Sequence, residues 1–202
     1  MAIHITSQTK SLRLRPTSNA ELRSLIEQEL ERQGPDADLN FIDVSFVKDM
    51  SYLFEGCDEF VGTGLENWDV GNVYNMSHMF EDALSFNGDL SKWNVSNVTT
   101  MSWMFESAIS FTGIGVENWD TGNVVCMYRM FNKAKVFNGN ISRWNVSKVV
   151  DMRWMFDSAR LFTGTGLENW DISNVKRMDC IFYNTKLDVY TVFYKQFSTM
   201  PY

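Results

Sequence analysis

The chain has little of what catalytic and covalently braced proteins use. Its 202 residues hold three prolines, three cysteines and two histidines. Cys57, Cys126 and Cys180 are odd in number and lack metal-ligand spacing, which argues against a disulfide framework or a zinc site. His4 and His78 stand alone, no glycine-rich phosphate loop precedes a helix pattern, and no nucleophile elbow is present. On these grounds no catalytic residue, cofactor or metal site is assigned, and an enzyme is not expected. Positive charge is also short, with 18 Lys and Arg against 25 Asp and Glu and a net charge of -7. Nucleic acid and anionic membranes both select basic faces, so neither is expected as a partner. No apolar run approaches the roughly 20 residues of a membrane-crossing helix. Met1 to Pro16 has no apolar stretch of the signal-peptide kind, so the chain reads as cytosolic or as the mature part of an exported protein.

What the chain has is aromatic, methionine-rich and periodic. Apolar residues make up 45% of it and aromatics 14%, enough to bury a sizeable core. The run from Trp93 to Ala108, W-N-V-S-N-V-T-T-M-S-W-M-F-E-S-A, returns along the sequence. Its Trp recurs as Trp68, Trp93, Trp119, Trp144 and Trp170, at steps of 25, 26, 25 and 26 residues. Its first Met recurs as Met50, Met76, Met101, Met127, Met152 and Met178, and the Phe four places on recurs as Phe54, Phe80, Phe105, Phe131, Phe156 and Phe182. A fixed period of this length is the mark of stacked repeats, each too small to bury its own apolar face.

Three regions follow. Residues 1–35 form an N-terminal segment and capping helix, residues 36–187 the repeats, and residues 188–202 a C-terminal cap. Ile3, Ile5, Leu12 and Leu14 suggest a short strand or hairpin over residues 3–15. Ser18 and Glu21 make a capping box, and Leu22, Leu25, Ile26 and Leu30 form one stripe of a helix over residues 19–33 that ends at Gly34-Pro35. Six units run at about 36–61, 62–87, 88–112, 113–138, 139–163 and 164–187. Within a unit, Trp93 and Val95 share a face if extended, while Val98, Met101, Met104, Phe105 and Ala108 step at helical intervals. The fold expected from this change of period is an α/β solenoid of the leucine-rich-repeat kind, with six coils of 25–26 residues, one short parallel strand and one short helix in each, and helical caps. That register makes Phe105 a core residue and the truncation of Ser102 nearly silent. Tyr190, Phe193, Tyr194 and Phe197 fit a capping helix at the C-terminus.

The motif W-[DN]-V-S-x-V-x-x-M-x-x-M-F-x-x-A, as in Trp93 to Ala108 and Trp144 to Ala159, resembles the BspA-like leucine-rich-repeat surface-protein family. The similarity is to the subtype whose 25-residue repeats occur in mycoplasma lipoproteins, and it covers about residues 36–187. It implies a leucine-rich-repeat-like solenoid and roles in surface display, adhesion and protein–protein interaction, with no catalytic residues to carry over. By this resemblance the chain belongs at a cell surface or among secreted proteins.

Two polar or aromatic columns stand out as partner-binding candidates. Asp43, Asp69, Asn94, Asp120, Asn145 and Asp171 fill the place between Trp and Val. Stacked about 4.8 Å apart, they offer either a row of hard oxygen donors or a ladder of Asx turns. Beside them Glu66, Glu117 and Glu168 alternate with Lys92 and Arg143, so neighbouring coils attract one another. The second column lies two residues after the first Met, as Tyr52, His78, Trp103, Arg129, Trp154 and Cys180. It should face outward, and its Tyr52, Trp103 and Trp154 recur every 51 residues. Exposed rings in a row suit a protein contact or carbohydrate stacking. The expected function is a non-catalytic interaction or adhesion module with a protein partner. A glycan-binding adhesin using Tyr52, Trp103 and Trp154 is the alternative, followed by an intracellular regulator or inhibitor. The oligomeric state is open at this point.

Overall fold

The computed structural model describes residues 14–194. Most of the strand or hairpin expected over residues 3–15, and Phe197 of the C-terminal cap, lie outside the described residues. Helix α1 (Asn19–Gln33) begins with Ser18 as N-cap, whose Oγ accepts the Glu21 N–H at 3.3 Å. The Glu21 carboxylate reaches back to accept the Thr17 N–H at 2.7 Å, and that bond holds its pKa below the usual range. Gly34, at φ 80, closes the helix by donating to the Leu30 carbonyl. Leu22 and Ile26 of α1 are buried, while Asn19 donates to the Asp49 and Ser51 carbonyls. The helix thus lies over the first coil.

The expected strand and helix in each coil are overturned. Among the described residues there is no strand, only isolated parallel bridges. One column of bridges runs Asp49, Asn75, Thr100, Cys126, Asp151 and Arg177, which places six levels of chain above one another. Nor does any coil carry an α-helix; besides α1, the described helices are the single turns Val116–Asn118 and Leu167–Asn169 and the short α2 (Val189–Val192). The α/β solenoid and the leucine-rich-repeat architecture therefore do not describe this chain. It is a stack of coils built almost wholly from turns.

The reason lies in where each backbone N–H goes. In the coil around Trp93 the bonds Trp93→Leu90, Val98→Val95, Met104→Met101, Glu106→Trp103, Ala108→Phe105 and Phe111→Ala108 all span three residues. An Asx turn follows Trp93 at once, so the extended run is too short to pair as a strand. A helix fails because Trp103 and Ser107 sit at φ 57, in the left-handed region. Tyr52, His78, Arg129, Trp154 and Cys180 repeat that conformation in the other coils. Between the turn bonds, Met101, Trp103, Phe105 and Ser107 donate to the next coil, at the carbonyls of Cys126, Tyr128, Met130 and Asn132. Spacing of 3, 3, 1 and 3 among the apolar residues is common to a helix and to this chain of turns, so periodicity could not separate them.

The core is a set of columns along the stack. Trp, Val, Met, Phe and Ala of the motif are buried in the inner coils, Trp93 at 4% exposure and Phe105 at 0%. The Phe rings stack along the axis, with Phe80–Phe105 at 5.4 Å and Phe105–Phe131 at 5.6 Å between centroids. A second Phe column leans against the first, Phe105–Phe111 at 4.1 Å. Each such pair adds about 0.5–1.5 kcal/mol beyond its burial. The repeated Trp does more than fill space. Trp68, Trp93, Trp119, Trp144 and Trp170 each donate their indole N–H to a carbonyl of the preceding coil, those of Leu39, Leu65, Leu90, Val116 and Ile141. This satisfies a buried donor and ties each level to the one before it. Ser102, expected near solvent, is 6% exposed, and its Oγ donates to Cys126 Sγ at 3.0 Å.

Candidate functional site

The Asx column has a structural task at every level. Oδ1 of Asp43, Asp69, Asn94, Asp120, Asn145 and Asp171 accepts the N–H two residues on, from Ser45, Gly71, Ser96, Gly122, Ser147 and Ser173, at 3.0 to 3.2 Å. Side-chain and backbone bonds from Ser173 lower the pKa of Asp171, and the Ser45 hydroxyl leads in doing so for Asp43. A neighbouring column, unnoticed in the sequence, crosses between levels. Asn72, Asn97, Asn123 and Asn174 donate to the carbonyls of Ser45, Gly71, Ser96 and Ser147 one coil back. Lys92, expected to attract an acid on the next level, donates instead to Asn67 Oδ1 at 2.8 Å.

The second column is brought together as a continuous π face. Tyr52 stacks on His78 at 4.3 Å and 12°, and His78 stacks on Trp103 at 4.4 Å and 19°. Trp103 meets the edge of Tyr128 at 4.5 Å and 76°. Arg129 lies over Tyr128 and over Trp154, Arg153 lies over Tyr128 at 4.9 Å, and Trp154 meets Tyr183 at 6.1 Å. The left-handed backbone at each level throws these side chains outward. Tyr52 is 41% exposed, His78, Trp103, Arg129 and Trp154 are half-buried, and Cys180 is exposed. Sequence reasoning missed Tyr128, Arg153 and Tyr183. The first two replace a Ser found at Ser51, Ser77 and Ser102, and that departure from the motif was the available signal.

Behind the rings lies a buried polar row. Glu81 pairs with His78 Nδ1. Glu106, 5% exposed, sits 3.4 Å from Arg129 Nη1 and 3.6 Å from Lys133 Nζ. Burial pushes its pKa up, Arg129 and Lys133 pull it back, and Glu81 and Asp82 add to the rise. Asn132, 1% exposed, donates to Asp157 Oδ2. Glu106 Oε2, Arg129 Nε and Asn132 Oδ1 are buried without a protein hydrogen-bond partner. Each such atom costs about 1–3 kcal/mol, so the row is a local concentration of unmet polar demand.

No group of three or more His, Cys, Asp or Glu side chains among the described residues is arranged to hold a metal ion. No described helix is long and apolar enough to cross a membrane. Cys57, Cys126 and Cys180 are free.

A model of one protein family, described as Mycoplasma protein of unknown function, DUF285, matches residues 27–114 and again residues 113–189. The chain belongs to the DUF285 family. The two matches overlap only at residues 113–114, so DUF285 covers this stack as two consecutive stretches of coils. The motif's resemblance to mycoplasma repeats agrees with DUF285 membership, while the BspA-like leucine-rich-repeat subtype is no part of the match. No curated protein matches the chain.

Proposed function

We propose that this chain is a non-catalytic protein-interaction module whose recognition face is the ring and guanidinium column from Tyr52 to Tyr183. One observation carries the reading: rings and cations of several coils form one uninterrupted, partly exposed row. Aromatic residues and Arg held rigidly in place make strong contact points, because little side-chain freedom is lost when a partner lands on them. The Asx column supports the reading from the other side, since its oxygens already serve turn amides. A hydrolytic role for those carboxylates would compete with that service.

Carbohydrate stacking is less well supported. A sugar needs a free ring face, and His78 has both its faces covered by Tyr52 and Trp103. Arg129 and Arg153 add guanidinium groups to this column, which suit the carboxylates and carbonyls of a protein. Adhesion at a cell surface is one setting for such a module, and regulation of a cytosolic partner is another.

The test compares the full chain with its Trp103→Ala, Trp154→Ala double variant. Crosslinked partners captured by the wild type from the native host, and lost with the variant at equal thermal stability, support the proposal. Selective glycan-array binding lost in the same variant would instead establish the carbohydrate reading. Partners captured equally by both chains would refute this face.

A further inference from the structure

The inter-coil bonds have a direction. In the rows that begin at Met50, Tyr52, Phe54 and Gly56, each N–H donates to the next coil, and this holds at every level up to Met152, Trp154, Phe156 and Ser158. At the last level the same rows end in the N–H groups of Met178, Cys180, Phe182 and Asn184, which have no hydrogen-bond acceptor among the described residues. Cys180 and Asn184 keep the left-handed φ of 56 and 53, so the amides hold the inner coils' conformation. Next to them a cavity of about 200 Å³ is lined by Met178, Phe182, Leu187 and Val189. Met178 is half-buried there, whereas Met127 and Met152 are fully covered.

The two ends of the stack differ. At the first coil the outward groups are carbonyls, and α1 covers the start of that row. Asn19 donates to the Asp49 and Ser51 carbonyls, Arg23 to that of Tyr52, and Leu22 and Ile26 are buried. At the last coil, Phe193 following α2 packs on Phe182 at 6.2 Å. Among the described residues nothing accepts from the donor row beside it. A second copy of this chain cannot supply all four matching acceptors, because its own α1 already holds the Asp49 and Ser51 carbonyls.

We propose that this open edge docks a polypeptide segment of the same turn-ribbon chemistry, which offers carbonyls at alternate residues to the amides of Met178, Cys180, Phe182 and Asn184. The inner coils define the occupant. The segment from Thr100 to Glu106 accepts the equivalent four bonds on the carbonyls of Thr100, Ser102, Met104 and Glu106. It covers the coil below with Met101, Met104 and Phe105. The partner is therefore an uncapped Met-x-x-Met ribbon, added to the end by the backbone pairing that joins the coils, with Phe193 already stacked on Phe182 in the place of its Phe. This is edge addition of the kind sheet proteins use, with turns in place of strands. A free anion fits less well, because Asp188 lines the same cavity and an anion leaves the half-buried Met178 uncovered.

The experiment uses the full chain and a synthetic peptide with the sequence of Thr100 to Ala108, followed by residue-resolved amide exchange. The expected result is at least tenfold slower exchange at Met178, Cys180, Phe182 and Asn184 when the peptide saturates. A scrambled peptide, or one with Asp at the Met101 and Met104 places, should leave them fast. The proposal is overturned if these amides are already slow before peptide is added, since the chain then closes its own edge. Equal protection by inorganic phosphate, or protection confined to the aromatic column, overturns it as well.

Discussion

Gly115→Ala tests the coil geometry most sharply. Gly115 sits at φ 89 and ψ -5, just before the turn Val116–Asn118. A Cβ there would lie 2.2 Å from Ser91 N, 2.6 Å from Leu90 C and 2.7 Å from Ser91 Cα, all backbone of the coil before. The left-handed conformation costs a non-glycine residue about 1–2 kcal/mol. Moving a packed backbone aside costs about 1–3 kcal/mol more. The sum, about 2–5 kcal/mol, is a large part of the 5–15 kcal/mol or so that holds a domain folded. With a urea m-value of about 2 kcal/mol/M the unfolding midpoint should fall by about 1–2.5 M. Gly71→Ala is the comparison. Its Cβ would meet only side-chain atoms, Asp69 Oδ1 at 3.2 Å and Asn94 Nδ2 at 3.5 Å, and it lacks a positive φ. Its stability should change by no more than about 0.5 kcal/mol, a midpoint shift of about 0.25 M. Equal midpoints for the two variants would refute the close approach of coils at Gly115.

Phe105→Ala should cost about 3–5 kcal/mol in the same titration, and Ser102→Ala about 0.5–1.5 kcal/mol for its lost buried hydroxyl; a silent Ser102 variant would contradict its burial. Trp144→Phe keeps a ring but loses the 2.8 Å bond to the Val116 carbonyl, and calorimetry should show a loss of about 1–3 kcal/mol. Glu106 has its pKa raised in the folded chain, chiefly by burial. The folded state therefore holds its proton more tightly than the unfolded one, and stability falls as pH rises from the ordinary glutamate range through the raised value. Glu106→Gln should flatten that part of the stability–pH curve and leave the acid limb set by Asp43 and Asp171, whose lowered pKa values give stability that is lost as pH falls. An unchanged slope in Glu106→Gln would remove Glu106 as its source.

The repeat, its register and its buried columns were legible because burial imposes residue type directly. Trp93, Val95, Met101 and Phe105 recur, and the structure buries all four. The local conformation was not legible, because apolar steps of three and four fit a helix and a run of turns alike. What decides between them is the left-handed backbone at Trp103 and Ser107, and neither residue type announces it. At Gly113 and Gly115 the left-handed backbone falls on glycine, the residue type that accepts it most readily. The Asx column was legible as an alternative between ligand and turn, and its hydrogen bonds match the turn. The π face was half legible. Tyr52, Trp103 and Trp154 stood out by recurrence, whereas Tyr128, Arg153 and Tyr183 complete the row only through contacts across levels that no spacing rule reports.

The indole bond from each Trp to the preceding coil has a mechanical consequence. Because every level is fastened to its neighbour by its own set of bonds, a pulling force applied to the two ends need not break the stack all at once. Coils should peel away singly, beginning at the end without α1. Each released coil frees 25 or 26 residues, a gain in contour length of about 80–95 Å at about 3.3–3.6 Å per residue. Under tension the molecule would lengthen in near-equal increments, and the register of its tryptophans would be read out as a step size.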